Sequence, residues 1–488
     1  MNRPMGSPMN GSMNRSPSTR PRLNPILVLT LLAALPGLAL FGLWRWAQAE
    51  VSAAKKLSDP APTVTIAPMA TPLMSYRRAP QSLSDSITVA NLRAALAPFS
   101  AFVADTSCFV ASTGTRTVLD IGADRQVTPA SNLKLFTGAA ALEILGPDFT
   151  YETQLRGVVA NGVVTGDLFF VGGGDPLLST VDYPATQKHP PTSVTSLEAL
   201  VQKLVDQGIT QITGNIVGDE SRYDAERSVP SWSPDLVGTE AGPLSALLVN
   251  DGVKDLGNQR RYDDPATGAA TQLRTMLKNA KIQIGGKATV GVAPPEVPVL
   301  ATISSAPFAE VLAEMLTTSD NNTAELVLKE IGHKVGTGGN RLAGIGAVQS
   351  VLVSWGVDTA PLVLIDGSGL DSGDIVTCRQ VLKVIEHEKG DPKFLAALAL
   401  AAGETGTLSD EFVGSPLAGL LRAKTGSLSN VKALSGVIPY GEGTLDFSLI
   451  LNAQNANDAG FYRPIWDALA AGIAAAQVGP RVASLQPR

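Results

Sequence analysis

Ser131-Asn132-Leu133-Lys134, Ser319-Asp320-Asn321 and Lys424-Thr425-Gly426 follow one another along the chain. Together they specify a serine nucleophile whose proton is taken by lysine rather than by histidine. A lysine serves as that base only if burial or a neighbouring cation lowers its pKa, and Lys424 is the expected neighbour of Lys134. Ser319 would relay a proton among Lys134, Lys424 and a leaving amine, while Asn321 would hold Lys134 and a substrate amide carbonyl. Thr425, Ser427 and Lys424 would take a carboxylate, and Gly426 would let a ligand approach the backbone. The N–H groups of Ser131 and Ser427 would stabilise an oxyanion. Each motif taken alone has a plain alternative: an exposed helix lysine, a helix cap at Ser319 or Asp320, and a β-turn at Lys424.

Context singles out Ser131. Ser52 with Lys55 and Ser429 with Lys432 share its spacing. Ser52, however, lies in a Pro-rich stretch with no sign of a packed helix, and Ser429 reads as part of a strand or its turn, where positions three apart face opposite sides. Around Ser131 the residues Leu133, Leu135, Phe136, Ala139, Ala140, Leu142 and Ile144 predict a helix. Thr128 would cap it, Pro129 would take its first position and Gly146-Pro147 would stop it. Ser131 and Lys134 then share a helix face, and the positive helix end favours negative charge on the serine oxygen. Ser12-Met13-Asn14 copies the second motif in a tail expected to be cytoplasmic, whereas Lys424-Thr425-Gly426 occurs once.

The 488 residues exceed one ordinary domain, and 44% hydrophobic against 17% charged residues is a globular balance. A net charge of -6 gives no basic surface for nucleic acid. His189, His333 and His387 are far apart and read as surface or packing residues, so neither a metal nor a cofactor is expected. Residues 1–24 carry Arg3, Arg15, Arg20 and Arg22 without an acid, and an uncharged apolar run from Pro25 to Trp44 follows. A run of about 20 such residues can span a bilayer, with the arginines in the cytoplasm and the rest exported. Segment 25–46 is read as a retained anchor, the alternative being a signal cleaved near Ala47-Gln48-Ala49. In an exported chain Cys108 and Cys378 either form one disulfide or remain two buried thiols.

A Pro- and Ala-rich linker is expected over 47–84, a catalytic segment over 85–150, a strand-rich α+β insertion over 151–301, a second catalytic segment over 302–475 and a tail over 476–488. The first catalytic segment reads as a helix from Ile87 to Leu96, a hairpin around Thr113-Gly114 and the Ser131 helix. In the second, helices Pro307 to Thr317 and Asn322 to Ile331 flank the second motif, and Leu362 to Leu370 reads as a strand entering a loop. Strands at Leu420 to Thr425, Ala433 to Ile438 and Leu445 to Leu451 precede a helix from Gly460 to Ala475. The expected core is an α/β domain, an antiparallel sheet flanked by helices that draws its first strands from one segment and its last three from the other.

With these motifs the chain resembles the D-alanyl-D-alanine carboxypeptidase/endopeptidase family, the class C low-molecular-mass penicillin-binding proteins. The likeness covers about residues 85 to 475, through Gly172-Gly173-Gly174-Asp175-Pro176, Gly242-Pro243-Leu244-Ser245-Ala246-Leu247 with Asn250-Asp251, Asp366-Gly367-Ser368-Gly369-Leu370 and Gly406-Thr407-Leu408. It implies a transpeptidase-like domain with a smaller inserted domain, catalytic roles for Ser131, Lys134, Ser319, Asn321 and Lys424, and substrate binding by Thr425, Gly426 and Ser427. It also implies hydrolysis of the terminal D-Ala-D-Ala bond of peptidoglycan stem peptides outside the cytoplasmic membrane, cleavage of cross-links by the same steps, and covalent inhibition by β-lactams. A β-lactamase-like hydrolase and a non-catalytic wall-binding protein are the competing readings. No glutamate for a lactamase's deacylating water can be placed, and all three motifs keep their reactive side chains. The stretch between Ser131 and Ser319 is shorter than in the larger family members, and Ser427 stands where Thr is common, which keeps the hydroxyl.

Overall fold

The computed structural model describes residues 25–58, 75, 78–336 and 338–486. The basic tail 1–24 and linker residues 59–74 lie outside the described residues. The chain divides into two compact units, 1–72 with 487–488, and 73–486.

In the first unit a single helix runs Pro25–Ser58. It continues through Glu50 to Ser58, where an extended linker was expected, because the Ala-, Lys- and Leu-rich run there holds neither Pro nor Gly. Ser52 is therefore helical too, but exposed, its hydroxyl donating to Gln48 O at 2.7 Å. Among the described residues no helix is long and apolar enough to cross a membrane.

The second unit is organised by a six-stranded sheet in the order Ala399–Leu400, Arg422–Leu428, Val431–Tyr440, Gly443–Asn452, Cys108–Thr113, Arg116–Ile121, each neighbour antiparallel. Its central strands are buried almost throughout, since helices cover both faces. Alternation along the strand separates the two sides. Cys108 and Val110 join Ala433, Val437 and Ile450 against helices Lys134–Leu145, Phe308–Thr317, Asn321–Lys334, Arg341–Ser354 and Cys378–Glu388. Phe109 and Ala111 face the other way with Leu434 and Leu449, against helices Pro80–Ser100 and Ala459–Ala475. Pro80 at the helix start opens the first of these ahead of the expected Ile87.

The stretch between the first two motifs folds around its own core. A seven-stranded mixed sheet is packed by helices Leu197–Asp206 and Pro265–Asn279. Its last strand, Val299–Ser304, pairs antiparallel with its first, Glu152–Ala160, so the chain returns to the point where it left. The junction is closed by Ser305 N donating to Tyr151 O at 2.9 Å, Tyr151 N to Ser305 Oγ at 3.0 Å and Phe308 N to Phe149 O at 2.7 Å. That closure sets Phe308–Thr317 and the second motif back beside the Ser131 segment.

Cys108 and Cys378 are disulfide-bonded, with Cα atoms 6.0 Å apart across a sequence separation of 270. The bond ties the strand Cys108–Thr113 to the first turn of helix Cys378–Glu388 inside the core. Replacing both cysteines by serine removes this cross-link and puts two hydroxyls into an apolar core. The variant should lose about 2–5 kcal/mol and melt below the wild type in a thermal unfolding scan; an unchanged melting temperature would show that the bond carries no stability.

Candidate active site

Ser131 sits on a strained turn rather than on the α-helix itself. A single 3-10 turn, Ala130–Leu133, precedes helix Lys134–Leu145. Thr128 does not cap it; its hydroxyl donates to Ser372 O at 3.1 Å, and Pro129 takes the capping position with no side-chain bond. The reason is Ala130, whose φ of 47 turns the chain before the helix can begin. A non-glycine residue in that region costs about 1–3 kcal/mol and persists only where its surroundings impose it.

Three contacts impose it. Asn132, wholly buried, donates to Ser435 Oγ at 2.6 Å, and Ser435 donates to Ser448 Oγ at 2.9 Å, pinning the turn to the central strands. A Cβ on Gly369 would lie 1.9 Å from Ala130 O, and one on Gly426 would lie 2.9 Å from Pro129 O. Gly426 was expected to let a ligand approach the backbone; its missing side chain also makes room for the turn that carries Ser131. Gly426→Ala should push this turn away from the strand at a cost of about 1–3 kcal/mol, lowering the thermal midpoint and separating Ser131 Oγ from Lys134 Nζ in a structure of the variant. A variant with wild-type stability and an unmoved Ser131 would refute that account.

Lys134 has no exposure at all. Its Nζ donates to Ser131 Oγ at 3.0 Å, Asn321 Oδ1 at 2.7 Å and Ser368 O at 2.8 Å, which uses all three ammonium donors. Burial lowers its pKa to about 8, opposed by the charges of Asp366, Asp320, Glu325 and Asp374. Lys424, equally buried and donating to Thr425 O at 2.8 Å, is held well below its usual value by burial and then by the charges of Lys134 and Lys432.

The carbonyl that Lys134 meets comes from the loop at Ser368, which sequence reading had a strand from Leu362 enter. Only a single bridge, Val363 to Ile375, forms there. Beyond it the buried Asp366 carboxylate accepts from the N–H groups of Ser368 at 3.1 Å, Gly369 at 2.6 Å and Asp371 at 2.8 Å, and from Trp232 Nε1 at 2.8 Å. Such a carboxylate winds the chain into a turn. Glu325 holds the same loop through the N–H groups of Gly367 and Ser368, and burial followed by the Asp366 charge pushes its pKa to about 8. Its place four residues after Asn321, on the same helix face, was the signal that could have found it.

In the second motif Asp320 is the helix cap, accepting from Thr323 N at 2.6 Å, and Ser319 reaches it with φ 69. Asn321 begins the helix; its Oδ1 meets Lys134 and its Nδ2 donates to Glu240 O at 2.9 Å. Among the described residues no hydrogen bond joins the Ser319 hydroxyl to Lys134 or Lys424. Ser319 instead lines a cleft of ≈ 530 Å³ together with Ser131, Asn321, Thr425, Gly426 and Ser427. The strand Arg422–Leu428 has a partner on its outer side only at Arg422 and Ala423, so its third-motif residues form an open edge towards the cleft. Thr425 donates to Thr407 Oγ1 at 2.8 Å, and Ser427 Oγ accepts from Lys432 at 3.0 Å. Thr407 and Lys432 were not singled out as site residues. Nor was His189, which lies on the cleft wall.

The family model for "D-Ala-D-Ala carboxypeptidase 3 (S13)" matches residues 89–257 and 253–471. A D-alanyl-D-alanine carboxypeptidase of Actinomadura sp. (strain R39) is 31% identical over 412 residues, 68% of this chain and 74% of that protein. Penicillin binding protein 4 of Haemophilus influenzae, solved alone and with a β-lactam, superposes with TM-scores of 0.64 and 0.58 at 22% identity, covering 77% of this chain and 99% of that one. A peptidoglycan endopeptidase of Bdellovibrio bacteriovorus superposes with a TM-score of 0.52 at 19% identity, over 78% of this chain and 94% of that one. The solved structures share the fold, with its discontinuous helix-flanked sheet and inserted α+β part, and on the strength of the sequence matches this chain belongs to the D-Ala-D-Ala carboxypeptidase 3 (S13) family.

Proposed function

We propose that Ser131 is the residue through which this D-Ala-D-Ala carboxypeptidase hydrolyses the terminal D-Ala-D-Ala bond of peptidoglycan stem peptides. Lys134 takes the Ser131 proton as Oγ attacks the carbonyl between the two D-alanines. The N–H groups of Ser131 and Ser427 stabilise the oxyanion. Collapse of the tetrahedral intermediate expels D-alanine, whose amine is protonated from Lys134 by way of Ser319, with Asn321 and Lys424 holding the relay in place. Water then releases the acyl group by the reverse proton path. Thr425, Gly426 and Ser427 seat the substrate along the strand edge. A cross-link can pass through the same steps with a larger leaving group, and a β-lactam would stop at the acyl-enzyme. The observation that carries the reading is the buried Lys134 amine shared between Ser131 Oγ and Asn321 Oδ1.

The test combines a variant with a pH profile. Ser131→Ala should take up no fluorescent penicillin and turn over no D-Ala-D-Ala peptide; labelling of the variant would move the nucleophile elsewhere. In the wild type the base is the neutral amine, and with the Lys134 pKa at about 8 roughly a tenth of the molecules carry it at pH 7 and most do above about pH 9. The second-order acylation rate should therefore climb as pH rises through about 8 and level off beyond it. A rate flat across that range would exclude Lys134 as the base.

The division into catalytic segments 85–150 and 302–475 around an insertion 151–301 is part of the same proposal, supported by the separate core of the insertion. So is placement on the outer face of the cytoplasmic membrane. The exposed Leu29, Leu32, Leu35, Leu38, Phe41 and Trp44 on helix Pro25–Ser58 support an anchor there, together with the apolar sequence from Pro25 to Trp44. The full chain should sediment with membranes and resist carbonate extraction, whereas a chain starting at Leu73 should not; equal release of the two would remove the anchor.

A further inference from the structure

The reaction needs a cation to meet an anionic leaving residue, and Lys424 is poorly placed to be it. Its amine is sealed from the cleft and committed to Thr425 O. The cations on the cleft wall are Lys188, Lys432 and Arg463. Arg463 is already spent on Glu411, donating at 3.1 and 3.0 Å, and Lys188 stands exposed.

Lys432 is different. It lies directly across the sheet from Ser427, so its side chain shares a face with Ser427 and, two residues earlier, Thr425. Its Nζ is 3.0 Å from Ser427 Oγ and 3.2 Å from Asn457 Oδ1. The Tyr462 and Trp466 rings hold it from behind, 4.2 and 5.5 Å from their centroids. Tyr462 is itself fixed by its hydroxyl donating to Glu411 Oε1 at 2.6 Å. An ammonium has three donors, and two are used, which leaves one. A hydroxyl that accepts from an ammonium has its own proton free to donate. The pair thus presents two adjacent donors and a positive charge beside the open strand edge, an arrangement suited to a carboxylate.

We propose that Lys432 is a specificity residue that binds a free carboxylate on the residue leaving Ser131, jointly with the Ser427 hydroxyl it holds. The inference rests on the peptidase reading and narrows it to substrates whose leaving residue carries an unblocked α-carboxylate, so amidated leaving residues are rejected.

The measurement is the ratio of kcat/KM for an N-acylated D-Ala-D-Ala peptide to that for its C-terminal amide. The wild type should favour the acid by roughly 10- to 100-fold, the range for a hydrogen-bonded charge. Lys432→Met, which keeps the aliphatic stem against the two rings, should bring the ratio within about threefold of unity, and Lys432→Arg should retain most of it. Lys188→Met should leave the ratio as in the wild type. A wild type that turns over acid and amide equally, a Lys432→Met enzyme that keeps the preference, or a Lys188→Met enzyme that loses it would each overturn the inference. Thermal unfolding checks that the variants are folded, and if Lys432→Met is not, Lys432→Gln takes its place with the same expected loss of preference. Failure of the underlying reading looks different, since the wild type would then turn over neither peptide.

Discussion

An amine shut off from water must either find acceptors for every proton or give one up, and Lys134 stands at the balance between the two. Burial alone favours the neutral form by a wide margin; the surrounding carboxylates restore part of the charge. What results is an amine that is neutral for a useful fraction of the time yet still hydrogen-bonded to the Ser131 hydroxyl, as the proposed base requires. The rest of the architecture follows from keeping that amine where it is. The Asp366 loop exists to aim one carbonyl at it, the cap at Asp320 to start a helix whose first side chain reaches it, and the strained Ala130 to set the serine within 3.0 Å of it.

Those three supports come from separate parts of the chain, and the fold brings them together through two closures. One is the zipped junction between Tyr151 and Ser305, which makes the whole insertion an excursion without displacement. The other is the sheet, whose last three strands pair onto the first, so that the third motif arrives at the edge next to the Ser131 turn. Close approach at that edge is why Gly426 and Gly369 have no side chains: both give way to the backbone of Pro129 and Ala130.

The motifs, the helices around them and the antiparallel sheet were legible because each is written in local spacing. Helix Phe308–Thr317 and strands Val431–Tyr440 and Gly443–Asn452 lie close to where periodicity put them. Three things were not legible, each for a physical reason. The turn before Lys134 was mistaken for a capped helix, because Thr128 and Pro129 have the right identities and nothing local announces the positive φ at Ala130. A strand leading from Leu362 into the Asp366 loop was expected, while only a single bridge forms, and the loop's course is decided by a carboxylate one of whose partners, Trp232, lies far off in sequence. The cysteine pairing needed the packing of a strand against a helix 270 residues away.

Burial and mutual repulsion act on both motif lysines, and that has consequences for how the site divides its work. At Lys134 the neighbouring carboxylates oppose the effect of burial, whereas at Lys424 the neighbouring cations add to it. A site with two buried, partly neutral amines can move protons but is badly equipped to attract an anion. Anion recognition then has to come from a cation that keeps contact with the cleft, and a lysine laid over two aromatic rings keeps its charge accessible while its stem is packed. Proton transfer and carboxylate binding thus fall to different lysines because the burial that makes a good base makes a poor anion receptor.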